Sequence, residues 1–136
     1  MTNFDYLLQD KDFEAFASIA IEAERVYQIS AGSCALSCRK AMELAVKWMF
    51  AVDKELELPY QDNLVSLMGD ETFRDIVGTP LLQRMEYIRK LGNTAAHSEK
   101  KITKDQAALA LENLWYFLDF VACCYAEDYQ EGSFDR

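Results

Sequence analysis

The chain holds one histidine, two prolines and five glycines in 136 residues, and each shortage narrows what it can be. A single imidazole leaves little for a self-contained active site built on proton transfer. No Ser-His-Asp or Cys-His nucleophile set, phosphate-cradling glycine loop or zinc-protease motif is present. Ordinary catalysis by one copy of this chain is therefore not expected. Bases are scarce too. Fourteen lysines and arginines face 23 acids, for a net charge of -9, and such a field opposes a whole-surface grip on nucleic acid or an anionic membrane. Also lacking are a charged-then-apolar leader and an uninterrupted apolar run long enough to span a bilayer. The expectation is a soluble, cytoplasmic protein with no membrane partner.

The material for a core is ample: 51% of residues are hydrophobic and 12% aromatic, enough for one domain of ordinary size. Strand-like alternation, internal repeats and low-complexity tracts are missing. Glycines 32, 69, 78, 92 and 132 and prolines 59 and 80 read as punctuation between apolar-periodic segments, which predicts an all-α helical bundle. About four main helices are expected, plus short helical segments. The first spans roughly Asp12 to Gln28, with Phe13, Phe16, Ala17, Ala20, Ala23 and Tyr27 on one stripe. A second, apolar nearly all round, follows Ser30-Ala31-Gly32-Ser33 and runs to Val52, so it is placed at the centre.

Short helices are expected around Leu64 to Met68 and Thr72 to Val77. Another starts at Thr79-Pro80 and ends at Gly92 after Leu81, Leu82, Met85, Ile88 and Leu91. The last opens on the capping-box pattern Thr103 to Gln106 and reaches Ala126. Residues 1–126 are thus read as the domain, and the polar residues 127–136 as the start of a linker to downstream domains.

The four cysteines lie in apolar helical stretches, where a thiol behaves as a small hydrophobe. Cys34 and Cys38 share a face and supply half of a tetrahedral zinc set, but no second histidine completes it. No metal site and no cofactor are expected in this domain.

Function is sought where charge runs against the whole. Residues 84–104 carry six bases against two acids, a local +4, while residues 105–136 carry seven acids against one base, a local -6. Within the basic stretch, Arg89-Lys90-Leu91-Gly92-Asn93-Thr94-Ala95-Ala96-His97 reads as a cationic helix end, a glycine stop and a polar turn. In the second helix Arg39, Glu43 and Lys47 lie at i, i+4 and i+8, a ladder of ion pairs. Packing of that ladder beside the Gly92-to-His97 segment would make Arg39 a further group for holding a phosphate or a partner. The candidate binding residues are accordingly Arg39, Glu43, Arg89, Lys90, Asn93 and His97. No residue is assigned as catalytic in the leading reading.

Three stretches together resemble the domain of unknown function DUF4145: Cys38-Arg39-Lys40-Ala41-Met42-Glu43-Leu44-Ala45-Val46-Lys47-Trp48, then Leu58-Pro59-Tyr60-Gln61-Asp62-Asn63-Leu64, then Tyr87 to His97. More narrowly, the chain resembles the form found at the N-terminus of the motor (R) subunit of type I restriction enzymes and related helicases, from about Phe4 to Tyr125. That family is grouped with the helical HEPN domains, many of them metal-independent RNases acting as dimers. Their signature is an arginine, a polar residue, three further positions and a histidine. Asn93 and His97 match the last two elements, whereas Gly92 stands where the arginine would be and Arg89 lies one turn earlier.

The resemblance thus implies a non-catalytic accessory domain of a restriction-modification R subunit, with nucleic acid or restriction-complex subunits as partners. ATP and Mg would be needed only by downstream parts of an ATP-dependent deoxyribonuclease. The alternative it implies is an RNase whose dimer interface joins two copies of His97, with Asn93 and Arg89 beside it. A homodimer is possible under either reading.

Overall fold

The spacing of apolar residues at three and four positions is realised as helix throughout the computed structural model, which describes residues 1–98 and 100–136. Among the described residues there is no strand. Two 3-10 turns, Asp5–Gln9 and Lys11–Phe13, lead into α1 (Glu14–Val26). Then come α2 (Ala31–Val52), the short α3 (Leu64–Gly69) and α4 (Glu71–Val77), and the long α5 (Thr79–His97) and α6 (Lys104–Tyr125).

Local chemistry starts most of these helices. Ser30 Oγ accepts the Ser33 N–H at 3.1 Å, Asn63 Oδ1 accepts that of Ser66 at 2.9 Å, and Asp70 Oδ2 accepts that of Phe73 at 3.0 Å. Each satisfies a backbone donor the first turn would leave orphaned. Thr103 and Gln106 form the full reciprocal capping box that their spacing predicts. Gly78 separates α4 from α5 with φ +88°, a left-handed conformation that a side chain would strain.

Helix α2 is central, as its all-round apolar pattern predicts: it packs against α1, α5 and α6, with α5 and α6 also paired. Its buried residues include Cys34, Cys38, Met42, Ala45 and Met49. Trp48 reaches from α2 into an aromatic group, with ring centroids 5.3 Å from Phe13, 5.9 Å from Phe16 and 5.3 Å from Tyr125. Phe50 stacks on Phe73 and ties α4 to the end of α2. Tyr27, expected on the inward stripe, is only half-buried.

Three readings change in the folded chain. Glycines are not confined to the breaks: Gly32 lies in the first turn of α2, Gly69 closes α3, and Gly92 sits inside α5, which continues for five residues beyond it to His97. The segment expected to be a polar turn is helical. Second, α6 is by length and composition apolar enough to cross a membrane, and 56% of its most apolar stretch is buried within the protein. Interruption by isolated polar residues hides this in the sequence. Third, Cys123 and Cys124 are exposed near the end of α6, in contrast to the fully buried Cys34 and Cys38.

The polar tail is docked rather than free of the bundle. Asn3 Nδ2 donates to the Asp135 carbonyl at 2.8 Å while the Asp135 N–H donates to Asn3 Oδ1 at 2.7 Å. Phe134 packs near the Trp115 ring. Glu112 pairs with Arg136.

Candidate functional site

The α2/α5 crossing brings the two candidate segments together. Gly92 faces α2, and a Cβ built on it would lie 2.6 Å from Cβ and 2.7 Å from Cδ of Arg39. The glycine is therefore a packing residue, permitting α5 to approach α2 closely enough for the Arg39 side chain to lie across it. Burial of the α5 stripe formed by Met85, Ile88, Leu91 and Gly92 makes the helix run through this glycine despite its poor propensity, which costs about 1 kcal/mol relative to alanine.

Arg39 is half-buried. Its Nη1 donates to Glu43 Oε1 at 3.1 Å, and Glu43 Oε2 in turn meets Lys47 Nζ at 3.0 Å. The ladder read from the sequence is formed. Arg39 Nε is fully buried and, among the described residues, has no hydrogen-bond partner. An unpaired buried donor of this kind costs roughly 1–3 kcal/mol, so the guanidinium is held by packing and by Glu43 together.

On α5, Arg89, Asn93 and His97 follow one another at intervals of four and share a flank. Arg89 Nε donates to Glu86 on its own helix, and Asn93 is half-buried beside the Gly92 stripe. His97 is the last residue of α5 and is exposed. The helix C-terminus favours a cation there. Lys90 is exposed on the same helix. Arg39 is thus joined to the α5 segment through Gly92, whereas His97 stands more than a turn further along at the rim.

Part of the local positive charge is used internally. Arg84 Nη1 donates to the buried Asn113 at 2.7 Å and its guanidinium lies 4.1 Å from the Tyr116 ring centroid. Lys104 Nζ donates to Gln28 and sits over Tyr27. Lys90, Lys100 and Lys101 remain exposed. Glu99, counted within the basic stretch, lies outside the described residues.

Among the described residues no group of three or more His, Cys, Asp or Glu side chains has the arrangement of a metal site. Cys34 and Cys38 are packed in the core. Hydrogen bonding between the two thiols, followed by burial, pushes Cys38 well above its ordinary range.

Sequence reasoning left open whether Arg39 packs beside the Gly92 segment, which the structure shows, and it missed a cleft between the N-terminal turns, the end of α6 and the tail. Helix-compatible Thr94-Ala95-Ala96 after Gly92, with no proline, is the signal that would have shown α5 continuing. The cleft has no such signal, since its lining residues are more than a hundred positions apart.

Residues 21–131 match the family described as Domain of unknown function (DUF4145), and the chain belongs to it. No curated protein and no solved structure matches.

Proposed function

We propose that this DUF4145 domain is a non-catalytic accessory domain at the N-terminus of a type I restriction-modification R subunit, docking onto a neighbouring subunit or nucleic acid through its α2/α5 face. The observation that carries the non-catalytic reading is the Gly92–Arg39 contact. Position 92, where the HEPN signature holds an arginine, has no room even for a Cβ at the present helix separation. Arg89, the nearest substitute on α5, is engaged by Glu86.

The character of the face favours a protein partner over a polyanion. Arg39, Glu43, Lys47, Glu86 and Arg89 alternate in sign, which suits a partner of mixed charge and fixes register. A phosphate backbone would instead call for an unopposed row of bases. Contact with nucleic acid would add the exposed Lys90, Lys100 and Lys101 to the arginines of this face.

Arg39→Ala and Arg89→Glu in the parent enzyme test the proposal. Weakened subunit assembly with an unchanged salt dependence of DNA affinity supports subunit docking, while a salt slope reduced by about one supports phosphate contact. Unchanged assembly and unchanged DNA affinity in both variants overturn it. RNA cleavage lost on His97→Ala establishes the ribonuclease alternative instead.

A further inference from the structure

The 3-10 turns, the C-terminal half of α6 and the docked tail enclose a cleft that shares no lining residue with α2 or α5 and measures about 690 Å³, within the range of about 300–1,000 Å³ usual for small-molecule sites. Its floor is aromatic. Phe13 and Trp115 form its base but are almost completely buried, so the ring surface it offers comes from the half-buried Tyr6, Tyr125 and Tyr129. Its mouth is acidic: Asp10, Asp12, Glu127, Asp128 and Glu131 stand there with one base, Lys11.

The three tyrosines are held in place by hydrogen bonds from their hydroxyls. Tyr6 donates to Asp119 Oδ1 and Tyr129 to Asp119 Oδ2, each at 2.8 Å, and Tyr125 donates to Asp53 Oδ2 at 2.6 Å. A phenol that donates to a carboxylate gains ring electron density, which strengthens the attraction of its face for a cation. The indole N–H of Trp115 is spent on the Asn3 carbonyl at 3.2 Å. The cation–ring pairs formed within the described residues, Arg84 over Tyr116 and Lys104 over Tyr27, lie elsewhere.

Carboxylates alone would make only an acidic surface, and aromatic rings alone only a core edge. Their combination in one concavity selects by chemistry. Anions are repelled by the mouth, and a neutral apolar molecule makes no use of it. An alkyl chain bearing several ammonium groups uses both, with methylenes on the rings and charges at the rim. The tail residues Glu127 to Ser133 wall one side, so the space is a pocket suited to a short free molecule more than a through-groove for a peptide.

We infer that this cleft is a binding site for a small linear polyamine. Calorimetric titration of the full chain with spermidine, at fixed ionic strength, tests it. Saturable binding is expected, together with a change in tryptophan fluorescence from Trp115. Asp12→Asn combined with Asp128→Asn removes two exposed rim charges and is expected to weaken binding by about tenfold or more. Glu71→Gln with Asp75→Asn, an equal change of charge on exposed positions of α4, is expected to leave it unaltered.

Failure to saturate, equal loss in both double variants, or an equal response to Mg at matched ionic strength overturns the site and identifies a diffuse counterion effect. A lysine-rich peptide that binds more tightly than spermidine overturns the small-molecule assignment. Circular dichroism of each variant separates lost affinity from lost fold. Arg39→Ala is expected to bind spermidine normally, so failure of the docking proposal and failure of this one are distinguishable.

Discussion

Gly92 of α5 and Arg39 of α2 occupy one another's space: the absent side chain of the first is the room in which the second lies, with Cβ and Cδ of Arg39 at 2.6 and 2.7 Å from where a methyl group would stand. The relationship fixes how closely the two helices approach and where the Arg39–Glu43–Lys47 ladder sits relative to α5.

Gly92→Ala is expected to destabilise the fold, although alanine is the better helix former. Overpacking costs about 1–3 kcal/mol, against about 1 kcal/mol gained in propensity, for a net loss of about 1 kcal/mol. Arg39→Ala should rescue it only in part, because the contact with Cβ remains, and Arg39→Gly more fully once its own propensity cost is subtracted. Denaturant melts of the four corners of each cycle measure the coupling. Strict additivity of the two substitutions would show that the contact is not under pressure.

Thr103→Ala removes one half of the capping box that opens α6 and leaves the Gln106 N–H without its partner. A loss of about 1 kcal/mol is expected, read as a lower denaturation midpoint with an unchanged denaturant slope. Lys104→Ala, one position on, serves as a comparison for a side chain held by Gln28 and Tyr27 instead.

Stability should fall as the pH rises above about 10. Burial, then the bond to Asp119, raises the Tyr6 phenol. For Tyr129, the bond to Asp119 comes first, and its phenol is pushed up to about 12. These groups keep their protons in the folded chain where the unfolded chain releases them, so the stabilisation is complete below the unfolded value and is lost as pH climbs towards the folded one. Tyr129→Phe should make the decline between about pH 10 and 12 shallower, which denaturant titrations at several pH values would detect. A steeper decline in that variant would reverse the assignment.

A thiol reagent on the native protein should find two fast cysteines. Cys123 and Cys124 are exposed and Cys34 and Cys38 are buried, and burial also raises the Cys124 thiol. The first pair is expected to react more quickly as pH increases, and the second only after unfolding. Four equivalent thiols in the native state would mean that α2 is not the central helix.

Much of the architecture was legible because local chemistry specified it. Thr103 and Gln106 announce the start of α6, Pro80 the start of α5, and the apolar circumference of α2 its central place. The error at Gly92 has a definite physical source. Along the chain, glycine after Arg89 and Lys90 has the form of a helix C-terminus, and only the side chain of a residue 53 positions earlier reveals that the glycine is there for clearance. The candidate binding residues were found by type and spacing, but their division between ion pairs within the fold and exposed cations was not visible from charge counts. Arg39 and Arg89 are paired with Glu43 and Glu86, whereas Lys90 faces solvent.

By itself, the sequence determined the all-helical class, the order of the helices, the capping box of α6 and the family, since periodicity, propensity and capping act over a few neighbouring residues. Tertiary structure alone decided that α5 runs through its glycine, that Arg39 meets it, and that Tyr6 and Tyr129 share one carboxylate across the aromatic cleft. Those outcomes depend on clearance and hydrogen bonding between residues distant in the chain, and such distances exist only once the helices have packed.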